Sequence, residues 1–211
     1  MTSIDIDKYI KLIKEQDSPQ SDFVKFTEET GTPYSVLITC ILSLRTNDKT
    51  TYGAALRMLE LGTKPEDFAD IELEKLEKAI YPVGFYKNKA KQIIELSKTL
   101  VEKYNSQVPE SIEELTKFKG VGRKTANLVI AKGFHKPAIC VDVHVHRICN
   151  RWGYVRTKEP DETEIVLRKI LPEKYWMDFN TLLVTHGQNV CKPIKPNCAI
   201  CKLSKLCAKN I

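Results

Sequence analysis

The sequence predicts an all-α protein, and three observations lead to this prediction. Apolar residues recur at spacings of three and four along most of the 211 residues, which is the period of a helix with one buried face. Residues that cap and start helices stand in front of several of these segments. No alternation of apolar and polar residues continues long enough to indicate a strand. With 42% apolar and 28% charged residues, the chain can build one or two domains, each with a buried core.

Helix-start signals place the individual elements. Thr32 can cap a helix and Pro33 suits its first turn, and the apolar positions of this helix continue to Leu44. Asn47 can cap the next helix, whose apolar face includes Met58. Further helical patterns cover residues 72–80, 86–104, 110–117, 123–134, 143–152, 160–170 and 173–186.

Positive charge is concentrated in two segments, although the net charge is only +6. Residues 86–136 carry eleven basic and five acidic side chains, and residues 188–211 carry five lysines and no acidic residue. Residues 1–85 have fifteen acidic and ten basic side chains, the opposite balance. This separation favours a polyanionic partner. A solvated lysine-rich helix face next to a basic tail would produce the same pattern, so charge alone leaves both interpretations open.

Neither a membrane span nor an export signal is expected. The longest run without a charge, Thr30–Leu44, has 15 residues, whereas a helix that crosses a bilayer needs ~20. Asp5 and Asp7 stand where a secretory signal would have its basic and apolar stretches. We therefore expect a cytoplasmic protein whose seven cysteines are reduced.

The cysteines fall into two groups. Three of them lie among apolar neighbours and are predicted to be small buried hydrophobic residues. They are Cys40, Cys140 and Cys149. The other four lie within 17 residues near the C-terminus, with six, two and five residues between them. They are Cys191, Cys198, Cys201 and Cys207.

The spacing of the C-terminal cysteines favours an iron–sulfur cluster. Long arms on both sides of one Cys-x2-Cys pair suit a [4Fe–4S] cluster, which needs a thiolate at each of four iron corners. A structural zinc ion and unliganded thiols remain the alternatives. Neighbouring lysines would offset the negative charge of such a cluster, whose expected role is to hold a basic loop against a phosphate backbone. These lysines are Lys192, Lys195, Lys202 and Lys205.

A glycine-rich hairpin is predicted inside residues 112–131. Gly120-Val121-Gly122 separates two helical apolar faces, and glycine permits a tight turn and close approach of a ligand. The start of the second helix would then present backbone N–H groups, which bind phosphate well. We interpret this segment as a helix-hairpin-helix that binds a nucleic-acid backbone, with a plain αα-turn as the alternative. The predicted contacts are Lys119, Gly120, Val121, Gly122, Arg123 and Thr125.

Lys124 is a candidate nucleophile. It lies in the first turn of the second helix beside Arg123, and both the helix dipole and the neighbouring cation favour the uncharged amine. An uncharged amine is what Schiff-base chemistry requires. Simple pairing with phosphate is the alternative role for a lysine at this position.

Asp142 is the candidate acidic partner. It follows an apolar run and precedes the helical pattern 143–152, so it can cap that helix. A capping carboxylate that also faces a cleft would stabilise a cationic transition state, so the two roles are compatible.

Together these segments resemble the endonuclease III family of DNA glycosylases over roughly residues 25–207. The motifs are FKGVGRKTAN at 118–127, CVDVHVHRICNR at 140–151 and the cysteine pattern, with LSLRTNDKTT at 42–51 as a fourth. The resemblance implies two helical domains flanking a DNA-binding cleft. One is a six-helix barrel domain over residues 26–136, and the other combines residues 1–25 with 137–211 and holds the cluster loop 191–207.

The resemblance also implies an activity. Lys124 would displace an oxidised pyrimidine from double-stranded DNA, form a Schiff base and cleave 3′ to the abasic site by β-elimination, with Asp142 as partner carboxylate. The implied cofactor is a [4Fe–4S] cluster, and the implied protein is a monomer associated with the nucleoid. Relatives that act on adenine or thymine mismatches carry serine or tyrosine in place of this lysine. Arg147, Lys192 and Lys195 are expected to contact DNA.

Two positions depart from the family pattern. Bacterial members usually have glutamine where this chain has Arg45, and leucine where it has Phe85. Arg45 could fill the gap left by an extruded base, and its charge leaves the opposite-base preference open. Phe85 is either a wedge that enters the base stack or a core aromatic. A glycosylase for thymine or uracil opposite guanine, and a non-enzymatic redox-sensing DNA-binding protein, are the alternative functions.

Overall fold

The computed structural model describes residues 4–16, 18–20 and 31–210, and this part of the chain is helical without a strand. The predicted all-α class is therefore confirmed. The helices, in chain order, are α1 (Ile6–Lys14), α2 (Pro33–Ser43), α3 (Asp48–Leu59), α4 (Pro65–Ala69), α5 (Leu73–Ile80), α6 (Tyr86–Tyr104), α7 (Ile112–Leu115), α8 (Arg123–Leu128), α9 (Val143–Trp152), α10 (Pro160–Ile170) and α11 (Trp176–Asn189). A π-helical turn, Val129–Gly133, follows α8, and a 3₁₀ turn, Glu173–Tyr175, precedes α11.

The contacts divide the chain into two units. One is Ser21–Lys136, and the other combines Met1–Gln20 with Pro137–Ile211. The boundary expected near residue 26 lies outside the described residues. The domain limits implied by the resemblance remain a prediction.

The predicted caps form as expected. Thr32 accepts a hydrogen bond from the backbone N–H of Ser35 at 3.1 Å, and Pro33 occupies the first turn of α2. Asn47 accepts a hydrogen bond from the N–H of Thr50 at 2.9 Å and so begins α3. These contacts satisfy N–H groups that have no partner within the helix.

Helix α2 is the centre of the unit Ser21–Lys136. Nine consecutive residues, Tyr34–Leu42, are buried, and α2 packs against α3, α6, α8 and the π-helical turn. A helix that is apolar on all sides must be surrounded by other elements. Helix α5 is amphipathic instead and buries only Leu76 and Ile80.

Three predicted helices differ from the structure. The segment 110–117 forms only the short helix α7, and the helix expected to start at residue 173 begins with the 3₁₀ turn. The helix expected over 123–134 widens after Leu128 into the π-helical turn, where the N–H of Phe134 bonds to the carbonyl of Val129. This turn places the backbone of Gly133 against Pro33, where a Cβ would lie 2.7 Å from the proline Cα.

The second unit has its own core. The apolar face of α1 packs onto the core beneath α9 and α11, and the rings of Tyr9 and Trp152 lie 5.1 Å apart. The hydroxyl of Tyr9 donates to the carbonyl of Leu206 at 2.5 Å, which ties α1 to the C-terminal loop. As predicted, Cys149 is buried here. No helix in the described ranges is long and apolar enough to cross a membrane.

Candidate functional site

Buried side chains on either side of Gly120 anchor the glycine hairpin. Phe118 and Val121 are 7% and 4% exposed, and the Phe118 ring packs on Tyr104. Gly120 has a φ of +77°, and a Cβ there would lie 2.5 Å from Nε2 of Gln92. The same Nε2 donates to the carbonyl of Lys119 at 2.5 Å. The left-handed backbone conformation therefore favours glycine at position 120, and a side chain there would also displace the amide of Gln92.

Gly122 serves a different purpose from Gly120. Its φ of −92° suits any residue, but it is the N-cap of α8, and a Cβ built there would meet no atom within 4 Å. The backbone at the start of α8 is thus open to a close ligand. The side chains of Val121 and Thr125 are buried, so these two predicted DNA contacts can use only their backbone groups.

Lys124 lies in the first turn of α8, and its side chain is exposed, as are those of Lys119 and Arg123. It is close enough to the buried Cys40 for its positive charge to influence that thiol. Burial raises the pKa of Cys40 to about 12, and Lys124 only partly opposes the increase. The thiol is therefore protonated near neutral pH and is a poor nucleophile. Of these two neighbours, only the lysine amine is accessible to a substrate.

Asp142 caps α9 as predicted. Its Oδ1 accepts hydrogen bonds from the backbone N–H groups of His144 and Val145, both at 2.9 Å. The residue is 9% exposed, so the carboxylate is held in one orientation at the start of the helix. Lys124 belongs to the unit Ser21–Lys136, whereas Asp142 belongs to the other unit.

Arg45 and Phe85 lie next to each other, although 39 residues separate them in the sequence. The guanidinium carbon of Arg45 is 5.8 Å from the centroid of the Phe85 ring. Phe85 is 61% exposed, so the core interpretation of this residue is wrong. Both residues have left-handed backbones, with φ of 53° and 58°. Such conformations cost on the order of 1–3 kcal/mol each and are concentrated at functional sites.

The structure gives Arg147 a different set of partners from the DNA expected for it. Its Nη2 donates to the carbonyls of Cys191 at 2.9 Å and Gly187 at 3.4 Å, and lies 3.1 Å from Nδ1 of His144. Because these acceptors belong to the same unit, the guanidinium braces the end of α11 and the start of the cysteine loop. Its expected contact with DNA stays a prediction.

The four C-terminal cysteines come together around one cavity. Its lining combines Cys191, Cys198, Cys201 and Cys207 with the buried side chains of Trp152 and His186. Burial lowers the pKa of His186 to about 4, so this ring is neutral at physiological pH. Within the described ranges, no three His, Cys, Asp or Glu side chains are arranged to bind a single metal ion.

Arg151 supplies positive charge at this cavity. It is 7% exposed, and its Nη1 donates to Sγ of Cys191 at 3.4 Å and to the carbonyl of Lys192 at 2.6 Å. Its Nη2 donates to the carbonyl of Pro193 at 2.7 Å. A thiolate-bound group with net negative charge fits this donor set and this cation. Lys192 and Lys195, the two predicted DNA contacts in the loop, are exposed.

Two buried basic residues near the predicted site residues were missed by sequence reasoning. Arg151 lies on α9 between the buried residues Ile148 and Trp152, and Lys89 lies on α6 in the same stripe as Ile93. Each is a single basic residue in the apolar stripe of a helix. This pattern could have identified both, because burying a charge is unfavourable without a specific partner.

A family profile described as "HhH-GPD superfamily base excision DNA repair protein" matches residues 38–173. The chain is 47% identical over 175 residues to a Thermotoga maritima protein named Endonuclease III, covering 83% of this chain and 82% of that one.

Two solved structures are similar over nearly the full length. A non-covalent Endonuclease III–DNA complex superposes with a TM-score of 0.86 at 33% identity, covering 99% of this chain and 96% of that one. A trapped Endonuclease III–DNA covalent intermediate gives a TM-score of 0.80 at 33% identity, with 98% and 97% coverage.

Proposed function

Because the chain belongs to the HhH-GPD superfamily, and within it to the endonuclease III family, we propose that Lys124 and Asp142 perform its reaction on damaged pyrimidines in DNA. The protein is a base-excision DNA glycosylase and AP lyase, and its partner is DNA. The observation that best supports the assignment of Lys124 is its exposed position in the first turn of α8, directly after the glycine hairpin.

The hairpin accounts for binding without sequence preference. The backbone at Gly122, where a Cβ would meet no atom within 4 Å, is open to a phosphate, and the exposed Lys119 and Arg123 add positive charge. An oxidised pyrimidine has lost aromatic stacking, so moving it out of the duplex costs less than moving an intact base. The lower free energy needed to move the damaged base out of the duplex is therefore the first basis on which the enzyme selects a lesion.

The proposed chemistry uses the amine of Lys124 as the nucleophile. The Lys124 nitrogen attacks C1′, the bond from C1′ to the base breaks, and the base leaves with the bonding electrons and takes up a proton. The carboxylate of Asp142 stabilises the positive charge that develops at C1′. The C1′–O4′ bond then breaks as a proton passes from the nitrogen to O4′, which leaves a ring-opened Schiff base between Lys124 and C1′. This Schiff base acidifies a C2′ proton, and loss of that proton expels the 3′ phosphate by β-elimination. Lys124 thereby performs both base removal and strand cleavage.

The four cysteines around the cavity are the proposed ligands of a [4Fe–4S] cluster. The six- and five-residue arms on either side of Cys198 and Cys201 suit a cubane better than a single zinc ion, and Arg151 would offset its negative charge. When bound, the cluster would supply four iron–thiolate bonds that close the loop 191–207. The exposed Lys192 and Lys195 would then be held in a rigid loop that faces a phosphate backbone.

Replacing Cys198 with serine is expected to remove bound iron and sulfide from the purified protein, together with its visible absorption. It should also lower the thermal stability of the C-terminal loop, because metal binding contributes folding free energy. Iron and sulfide analysis with absorption spectroscopy checks this. Cys140→Ala is the matched control, since Cys140 is buried away from the cavity and its replacement should retain the iron. A stoichiometric zinc ion in anaerobically purified wild-type protein would contradict the assignment.

A panel of duplexes tests the proposed substrate class. Each duplex carries an oxidised pyrimidine, 8-oxoguanine, a guanine–thymine mismatch or an abasic site, and base release and strand nicking are scored separately. We expect release from the oxidised pyrimidines and nicking 3′ to the abasic site, with activity on the mismatch at least about 100-fold lower. Preferred release of thymine opposite guanine would replace this proposal with the mismatch-specific alternative. We further propose that the enzyme works in the cytoplasm, at the nucleoid.

A further inference from the structure

Lys89 is a buried lysine that connects two loops. It lies on α6 and is 5% exposed, and its Nζ donates to the carbonyl of Leu42 at 2.9 Å and of Leu44 at 2.5 Å. A third hydrogen bond reaches Oγ1 of Thr46 at 3.3 Å. All three acceptors lie at the end of α2 or in the turn that follows it. The ammonium group therefore satisfies carbonyls that the end of a helix leaves without partners.

The second loop, residues 84–85, reaches loop 44–46 through Thr46 and Arg45. Phe85 is the N-cap of α6, and its carbonyl accepts the ordinary helical bond from the backbone N–H of residue 89 at 3.1 Å. The N–H of Gly84 donates to Oγ1 of Thr46 at 3.1 Å, and a Cβ on Gly84 would lie 2.7 Å from the carbonyl oxygen of Arg45. Loops 44–46 and 84–85 thus lie against each other at Arg45 and Gly84, and Thr46 bonds both to the N–H of Gly84 and to the ammonium group of Lys89.

Stability alone does not account for a lysine at this position. Lys89 occupies the buried stripe of α6 that continues with Ile93, Leu96 and Leu100. An apolar side chain would fill such a position without loss of hydration, whereas burial lowers the pKa of Lys89 to about 8. A lysine at this position fixes the geometry of loop 44–46, because its three hydrogen bonds hold that loop in place.

We propose that Lys89 is a positioning residue that holds Arg45 and Phe85 side by side, so that both enter the base stack together at the damaged nucleotide. This proposal rests on the proposed function, which brings DNA to these two exposed side chains. Arg45 and Phe85 adopt left-handed backbones that the surrounding contacts must maintain. Without the ammonium group, loop 44–46 would relax and Arg45 would leave the Phe85 ring.

Lys89→Met tests this proposal, because methionine keeps the apolar stem and removes the three hydrogen bonds. Lys91→Met is the matched control, since it removes an exposed charge from the same helix. Two single-turnover rates are compared. One is base release from a duplex with an oxidised pyrimidine, and the other is borohydride trapping at an abasic site opposite a one-nucleotide gap. The gap removes the opposing nucleotide that Arg45 and Phe85 would have to hold apart.

We expect Lys89→Met to slow base release from the intact duplex about tenfold or more and to change trapping at the gapped substrate less than about twofold. Lys91→Met should leave both rates near the wild-type values. Equal losses on the two substrates would show that Lys89 only supports the fold and would overturn the proposal, as would no loss on either.

A second variant decides the matter if Lys89→Met does not fold. Thr46→Val preserves side-chain shape and removes the hydroxyl shared by Lys89 and Gly84. It should produce a smaller loss of the same duplex-selective kind, and wild-type rates on both substrates would overturn the proposal. Failure of the proposed function is distinguishable, because wild-type protein would then give neither base release from the intact duplex nor a trapped product at the gapped abasic site.

Discussion

Replacement of Lys124 with glutamine is expected to abolish borohydride trapping on DNA and to reduce strand cleavage at an abasic site by at least about 1,000-fold. Glutamine has similar length and still donates hydrogen bonds, but its amide nitrogen cannot form a Schiff base. Since Lys124 is exposed at the start of a short helix, the substitution should leave the fold intact. Denaturing gel electrophoresis after borohydride treatment measures the covalent product.

Lys98→Gln is the matched control for this experiment. Lys98 is an exposed lysine of the same unit, on α6, so the substitution makes the same chemical change and the same loss of charge. It should trap DNA as well as the wild type does. Trapping that survives in Lys124→Gln would mean that another amine is the nucleophile, and mapping the cross-linked peptide would identify it.

Two substitutions of Asp142 separate its capping role from its proposed catalytic role. Asp142→Asn retains an oxygen that can accept from the N–H groups of His144 and Val145, and asparagine caps helices as well as aspartate does. It removes the negative charge, however, so base release should fall about 100-fold while the melting temperature stays unchanged. Calorimetry and single-turnover kinetics on the same preparation check both parts.

Asp142→Ala should lose activity to a similar extent and stability as well. Loss of the cap costs about 1 kcal/mol, which lowers the melting temperature of a chain of this size by roughly 2–4 °C. If Asp142→Asn were as active as the wild type, the carboxylate would be only a cap. If both variants lost stability equally, the asparagine amide would not cap α9. The rates would then have to be compared at a temperature below the melting temperature of the less stable variant.

Local signals in the sequence were sufficient wherever residues act through near neighbours. Thr32 and Asn47 cap the helices they were expected to cap, because an N-cap hydrogen bond spans only three residues. Asp142 behaves in the same way. The five-residue helix α4 was missed because it is too short to display a period, and the π-helical turn after Leu128 was missed because contact with Pro33 lies far away in sequence.

The order of residues along the chain determined the helical class, the caps, the glycine hairpin with its lysine and the grouping of the last four cysteines. Each of these depends on spacing within a few residues, where backbone geometry leaves few choices. Only the folded chain decided that Phe85 is exposed beside Arg45, that Arg147 turns inward, and that Lys89 and Arg151 are buried with carbonyl partners. A basic residue in the apolar stripe of a helix indicates a buried charge, but its partners depend on which distant backbone groups are left without partners after the helices pack, and no local pattern encodes that.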